Sequence, residues 1–131
     1  MRRYALLIVT LSVMLLLLAA CAKKGSAPDV IEKYLKAKVS SKADQLTGLS
    51  CKEWEAQAAQ DATSFESVKA ELQEMACKTG GKDGQYTLVT CEGKIVVAYQ
   101  GETREFPLNS TTYRAIQEDG EWKMCGYQQA D

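Results

Sequence analysis

The sequence predicts an α+β fold, with N-terminal helices packed on a curved four-stranded antiparallel sheet, and three observations carry that prediction. Between Asp29 and Ala62 the apolar residues recur every three or four positions, the period of a helix with one buried face. After Ser67 they alternate with polar residues, the two-residue period of a strand. Asp83-Gly84, Gly101-Glu102 and Glu118-Asp119-Gly120-Glu121 then punctuate the second half with short reversals. Helices grouped ahead of hairpins make an antiparallel sheet that the helical layer covers on one face.

Ahead of this domain stands a leader. Arg2 and Arg3, an uncharged run from Tyr4 to Ala20 and small residues at Ala19 and Ala20 describe a secretory signal peptide over residues 1–20. Leu18-Ala19-Ala20-Cys21 resembles the lipobox of a bacterial lipoprotein precursor, which implies cleavage before Cys21 after a diacylglycerol is attached to its sulfur. Each buried methylene contributes about 0.8 kcal/mol, so two or three chains hold a protein at a bilayer where one releases it. An uncleaved membrane span is the competing reading; the run is short against the roughly 20 residues that cross a bilayer, and Thr10 and Ser12 weaken it. The resemblance places the protein outside the cytoplasm on the bacterial cell membrane or outer membrane, and Ala22, where an aspartate would signal inner-membrane retention, leans toward the outer one. Residues 21–27 form the lipidated tether, which reaches about 20–25 Å when fully extended.

Removing 20 of the 131 residues leaves a chain long enough for one domain. Without Arg2 and Arg3 it carries 14 basic residues against 17 acidic, a balance that offers nothing to nucleic acid. It has no histidine, which removes the commonest general base and the commonest metal ligand together. Cys51, Cys77, Cys91 and Cys125 remain after Cys21, and an even number in an exported chain reads as two disulfides. The alternative, a four-cysteine zinc site, usually brings its ligands in close pairs, whereas these neighbours stand at least 14 residues apart.

Within the domain, residues 28–131, each element has a local reason. Ser26, Pro28 and Asp29 mark a helix start, and Val30, Ile31, Tyr34, Leu35 and Val39 give a buried face over residues 29–39. Ser40 and Ser41 interrupt it, and residues 42–47 supply a helical turn or two before Gly48. Ser50 followed by Glu53 fits a capping box and predicts a third helix from Cys51 to about Ala62, burying Trp54 and Ala58, with Phe65 just beyond. Residues 67–77 fit two readings: the alternation of Val68, Ala70 and Leu72 with Lys69, Glu71 and Gln73 favours a strand, while the Ala, Glu, Leu, Gln and Met content favours a helix. The hairpin that follows argues for the strand. Centred on Asp83-Gly84 it sets Lys82 opposite Gln85 and Cys77 opposite Thr90, and a one-residue bulge at Gly80-Gly81 aligns Cys77 with Cys91. Cys51–Cys125 then follows by elimination; chain entropy makes the short loop worth roughly 3 kcal/mol and the long one roughly 4.5 kcal/mol. The second strand runs from Tyr86 to Tyr99, and the third from Thr103 to about Gln117, bent at residues 107–110 because Pro107 cannot donate to a ladder. The last carries Trp122, Met124, Cys125 and Tyr127.

This order of elements, closed by Glu118-Asp119-Gly120-Glu121-Trp122-Lys123, resembles the NTF2-like superfamily, a cone-shaped α+β fold, and within it small bacterial lipoproteins carrying domains of unknown function. The resemblance implies a cavity between sheet and helices, which members use for isomerisation, dehydration, dimerisation or protein binding. Enzymatic members set an Asp–His or Asp–Tyr pair there, and the histidine is missing from this chain. Fold alone assigns no activity.

Tyr34, Trp54, Tyr99, Tyr113 and Trp122 are the candidates to line a pocket, against the simpler reading of such aromatics as core. Glu53, Glu55 and Asp61 are the carboxylates of the third helix, Glu53 with a capping role. Lys94, Arg104 and Arg114 alternate on strands, as anion-selecting groups or as a solvated face, and Asn109-Ser110-Thr111 is an unspecific glycosylation pattern discounted in a bacterial lipoprotein. No metal site, no cofactor motif and no nucleophile with a base is legible. The expectation is therefore a membrane-anchored module that is not an enzyme and that binds another envelope protein or itself. The alternatives are a binder of a small apolar ligand in the cone and an enzyme relying on a carboxylate and a tyrosine.

Overall fold

The computed structural model describes residues 25–130; the expected signal peptide, Cys21 and the expected tether up to Lys24 lie outside the described residues. Among the described residues three helices precede five strands: α1 Ala27–Val39, α2 Ala43–Gly48, α3 Glu55–Asp61, then β1 Lys69–Asp83, β2 Tyr86–Tyr99, β3 Glu102–Pro107, β4 Thr111–Glu118 and β5 Glu121–Gln129. The strands form one antiparallel sheet, ordered β1-β2-β4-β5. β3 and β4 lie end to end along the same flank of β2, pairing with residues 94–99 and 87–90 respectively. They are the expected third strand, broken by a 3-10 turn at Leu108–Ser110 where Pro107 was expected to bend it. Helices packed against a curved antiparallel sheet are thus the architecture of this chain.

Local chemistry explains the helical layer. The Ser26 hydroxyl accepts from the Asp29 N–H and the Asp29 carboxylate accepts from the Ser26 N–H, a reciprocal cap that satisfies two orphan donors at the start of α1. The face of α1 carrying Val30, Ile31, Tyr34 and Leu35 is buried with Leu46, Ala58, Val89, Ala115 and Met124. The start of the third helix departs from the expected capping box. Residues 52–54 form a 3-10 turn without a side-chain cap, and the Ser50 hydroxyl donates instead to the Leu46 carbonyl. The cause is a competing pairing. The Cys51 N–H donates to the Met124 carbonyl and the Met124 N–H to the Leu49 carbonyl, so this segment lies extended beside β5, where Cys51 is bonded to Cys125.

Residues 69–77 are strand, and β1 runs on through two bulges to the hairpin turn. That turn is one residue later than expected: Asp83 pairs with Tyr86 and the two-residue loop is Gly84-Gln85. Gly84 has φ of +59°, whereas Gln85 is not in the left-handed region, the pattern of a turn with glycine in its first position. Asp83 stays in the strand, where its carboxylate lies 3.1 Å from Arg114 Nη2. An extra residue at Gly80 then shifts the register back, so that Cys77 stands opposite Cys91, to which it is bonded.

The other bulge of β1 and one in β5 also shape the sheet. Glu74 and Met75 stand against Gly93, and Cys125 and Gly126 against Arg114. At Gly93, φ is +94° and a Cβ would fall 2.5 Å from the Gln73 carbonyl oxygen and 2.6 Å from that of Glu74. Gly120 has a similar φ of +78° but open space around it. Gly93→Ala is therefore expected to lower unfolding free energy by about 3 kcal/mol, from left-handed strain plus displaced backbone, and Gly120→Ala by about 1 kcal/mol from strain alone. Urea denaturation of both variants checks this; equal losses would contradict the close approach at Gly93.

Candidate functional site

The functional side chains converge where the last turn of α3, the C-terminal half of α1 and the end of β5 meet. α3 places Ala58, Asp61 and Ala62 on one face, and all three are buried. Small residues at two of those positions let the helix approach the sheet, and the third delivers a carboxylate, only 4% exposed, to the interior. Tyr34 on α1 donates its hydroxyl to Asp61 Oδ2 at 2.6 Å and in turn accepts from Trp54 Nε1–H at 3.3 Å. Tyr127 donates to Oδ1 at 3.2 Å, and Gln57 Nε2 to the same oxygen at 3.5 Å. Lys38 Nζ lies 3.5 Å from Oδ2 and 5.3 Å from the centroid of the Tyr127 ring.

Tyr127 reaches this cluster because of the bulge before it. Along a regular strand it would lie on the opposite face from Met124, three positions away. The extra residue at Cys125–Gly126 puts both inside, with Tyr127 paired to Tyr113 and Met124 to Ala115. The Tyr127 ring then meets Trp54 and Tyr113 edge to face, at centroid distances of 5.3 and 6.2 Å.

Of the five aromatic candidates, the structure brings Tyr34, Trp54 and Tyr113 together around Tyr127 and Asp61. Tyr99 stands 55% exposed near the β2–β3 turn, and Trp122 lies at the far end of the sheet beside Asp29 and Leu49. Glu53 and Glu55 point away from this centre, Glu53 exposed and Glu55 on the first turn of α3. Lys94 pairs with Glu105, and Arg114 with Asp83 and Gln128. Asp61 and Tyr127 were absent from the expected pocket set. The signal for Asp61 was its spacing from Ala58 and Ala62; the signal for Tyr127 was Gly126, a glycine inside a strand.

Chemically, a carboxylate offers about four acceptor directions. Tyr34, Tyr127, Gln57 and Lys38 engage both oxygens of Asp61, and a base needs a free lone pair aimed at the proton it takes. The arrangement works as a tie between helices and sheet. Beside it, a hollow of about 360 Å³ opens to solvent, its walls including Leu35, Lys38, Phe65, Ile95, Leu108 and Tyr127. Phe106, 50% exposed, stands at its rim and is shared with a smaller hollow running over Val97, Arg104 and Tyr99.

Neither a protein-family model nor a curated protein matches this sequence. Among solved structures the chain is similar to RPA3114, a SEC-C motif containing protein from Rhodopseudomonas palustris, with a TM-score of 0.53 and 12% identity over 84% of this chain and 85% of that one. At that identity the likeness is one of fold. Two further structures align less closely: an NTF2-like design, Rd1NTF2_05, at a TM-score of 0.46 and 14% identity over 76% of this chain and 94% of that one, and an uncharacterized protein with a cystatin-like fold from Caulobacter vibrioides at 0.47 and 13% over 79% and 86%.

The tyrosines give the cluster a pH signature. Burial, then the Asp61 hydrogen bond and charge, push the Tyr34 hydroxyl far above its ordinary value. Burial foremost pushes Tyr113 up to about 12, and burial with the Asp61 charge raises Tyr127. An unfolded tyrosine ionises near pH 10, so above that pH the native state holds protons the unfolded chain has lost. The stabilisation is complete below about pH 10 and drains away as pH rises through the folded values. Urea midpoints are expected to fall steadily above about pH 10, less steeply in Tyr113→Phe; a midpoint flat to about pH 12 would contradict the cluster.

Proposed function

We propose that this protein is a lipid-anchored module of the bacterial envelope, held by acylated Cys21 on a membrane and facing outside the cytoplasm, whose task is to bind a protein partner. The observation that carries this reading is the uncovered end of the sheet. In β2, Ile95, Val97 and Tyr99 share the face turned toward the helices, and Phe106 of β3 pairs with Ile95 on that same face. Ile95 is buried, whereas Tyr99 and Phe106 are half-exposed or more, because the helices end before them. Exposed large apolar side chains grouped on one face are the usual mark of an interaction surface. Arg104 and Glu102, opposite Val97 and Tyr99, add charged groups to that face, and the opposite face of the same arm carries Lys94, Thr103 and Glu105, two of them in a surface ion pair.

A second reading has its own observation. The hollow of about 360 Å³ next to Lys38 and Tyr127 falls in the size range of small-molecule sites, so an amphiphile resting there is the alternative.

A photo-reactive phenylalanine analogue at Phe106 of the full chain is expected to cross-link one protein of defined mass in cells, with the adduct lost on adding Tyr99→Asp. The same probe at Thr103, on the outer face, is expected to give none. Equal adducts from both positions, or none from either alongside a small molecule that stays bound in native mass spectrometry, would overturn the protein-binding reading.

A further inference from the structure

Two hollows open at the pole of the domain where the described chain begins. One, of about 540 Å³, has Gly25, Val30, Leu49 and Trp122 in its walls. The other, of about 460 Å³, lies against Lys33, Lys36 and Gln45, and the two share Lys33, Gly48 and Leu49. Leu49 and Trp122 are partly exposed, and Lys33 and Lys36 are exposed on the outer side of α1. Acidic groups share the pole: Asp29 is engaged as the α1 cap, Glu121 lies 3.1 Å from Lys123 Nζ, and Asp119 stands exposed at the β4–β5 turn, on the side of the hollow away from Lys36.

The covalent chain limits what can face this pole. Cys21 stands five positions before Ser26, so even a fully extended backbone keeps the start of α1 within about 17 Å of that residue. With Cys21 acylated and its lipid in the bilayer, the first surface the domain can present to the headgroups is this one. Its chemistry suits them: an indole with an apolar body and a polar edge partitions to the membrane interface, and lysine stems lie along apolar surface while their ammonium groups reach phosphates. The Phe106 and Tyr99 surface lies toward the other end of α1, a helix of 13 residues or about 20 Å.

We infer that this pole seats on the anchoring bilayer, with Trp122 and Leu49 at the lipid–water interface and Lys33 and Lys36 over anionic headgroups. The inference rests on the anchored reading of Cys21 and deepens it: seating here turns the exposed arm away from the membrane, where a partner can reach it.

The test uses the full acylated protein in vesicles of phosphatidylethanolamine and phosphatidylglycerol, labelled with an amine-reactive reagent and read residue by residue in mass spectrometry. Lys33 and Lys36 are expected to react several-fold less in vesicles than after the vesicles are dissolved in detergent, while Lys69, exposed at the opposite end of the sheet beside Ala98, keeps its reactivity. Equal reactivity of Lys33 and Lys36 in both states, with the acyl mass present on Cys21, would overturn the seating alone. Absence of the acyl mass would overturn the anchored reading and the seating with it.

Discussion

A single buried carboxylate ties the two layers of this domain together. Asp61 closes α3, and its oxygens gather Tyr34 and Lys38 from α1, Gln57 from α3 and Tyr127 from β5. Charges buried without partners cost several kcal/mol, so each of these elements is held in place by the others' need to satisfy Asp61. The Cys51–Cys125 bond and the backbone pairing of Leu49 and Cys51 with Met124 anchor the entrance to α3 on the same strand. What would be a cavity in an open cone is occupied by Tyr34, Ile31, Leu46 and Met124.

The consequence lies beside this tie, where β2 runs on past the helices. β2 has 14 residues, about 46 Å at strand rise, whereas α1 has 13 residues and spans about 20 Å. No helix of that length covers such a strand, and the bulges at Gly93 and Gly80 curve the sheet without shortening it. The arm formed by residues 94–107 therefore extends past the helical layer with Phe106 and Tyr99 on its inner side. The bare arm is the result of this mismatch in length between helix and strand.

Much of this was legible from the sequence, for reasons that differ between elements. The start of α1 is written in Ser26, Pro28 and Asp29, and the structure carries that cap. The strand character of residues 69–77 was a choice between propensity and pattern, and long-range pairing with β2 overrode the helix-favouring composition. The turn register was missed by one residue because Asp83 and Gly84 both suit reversals, and the turn takes Gly84 in its first position, leaving Asp83 in the strand beside Arg114. The capping box expected at Ser50 does not form because its neighbours pair with β5, a contact no local motif encodes. Tyr127, named only as part of the last strand, was left out of the pocket set because a bulge reversed the face it occupies, and Asp61, named only among the helix carboxylates, because a carboxylate on a small-residue face reads as surface until its partners are known.

The most direct test of the tie is the stability of Asp61→Asn, measured by thermal and urea unfolding with both disulfides intact. If Asp61 holds the layers together, the substitution leaves Lys38 and the tyrosine hydroxyls without their anion. Lys38 is partly exposed, which puts the loss near the lower end of that for breaking a buried pair, about 3 kcal/mol, or a melting temperature lower by about 10–20 °C. Unchanged or raised stability, the usual result of neutralising a group strained for a reaction, would contradict it and return Asp61 to the list of reactive residues.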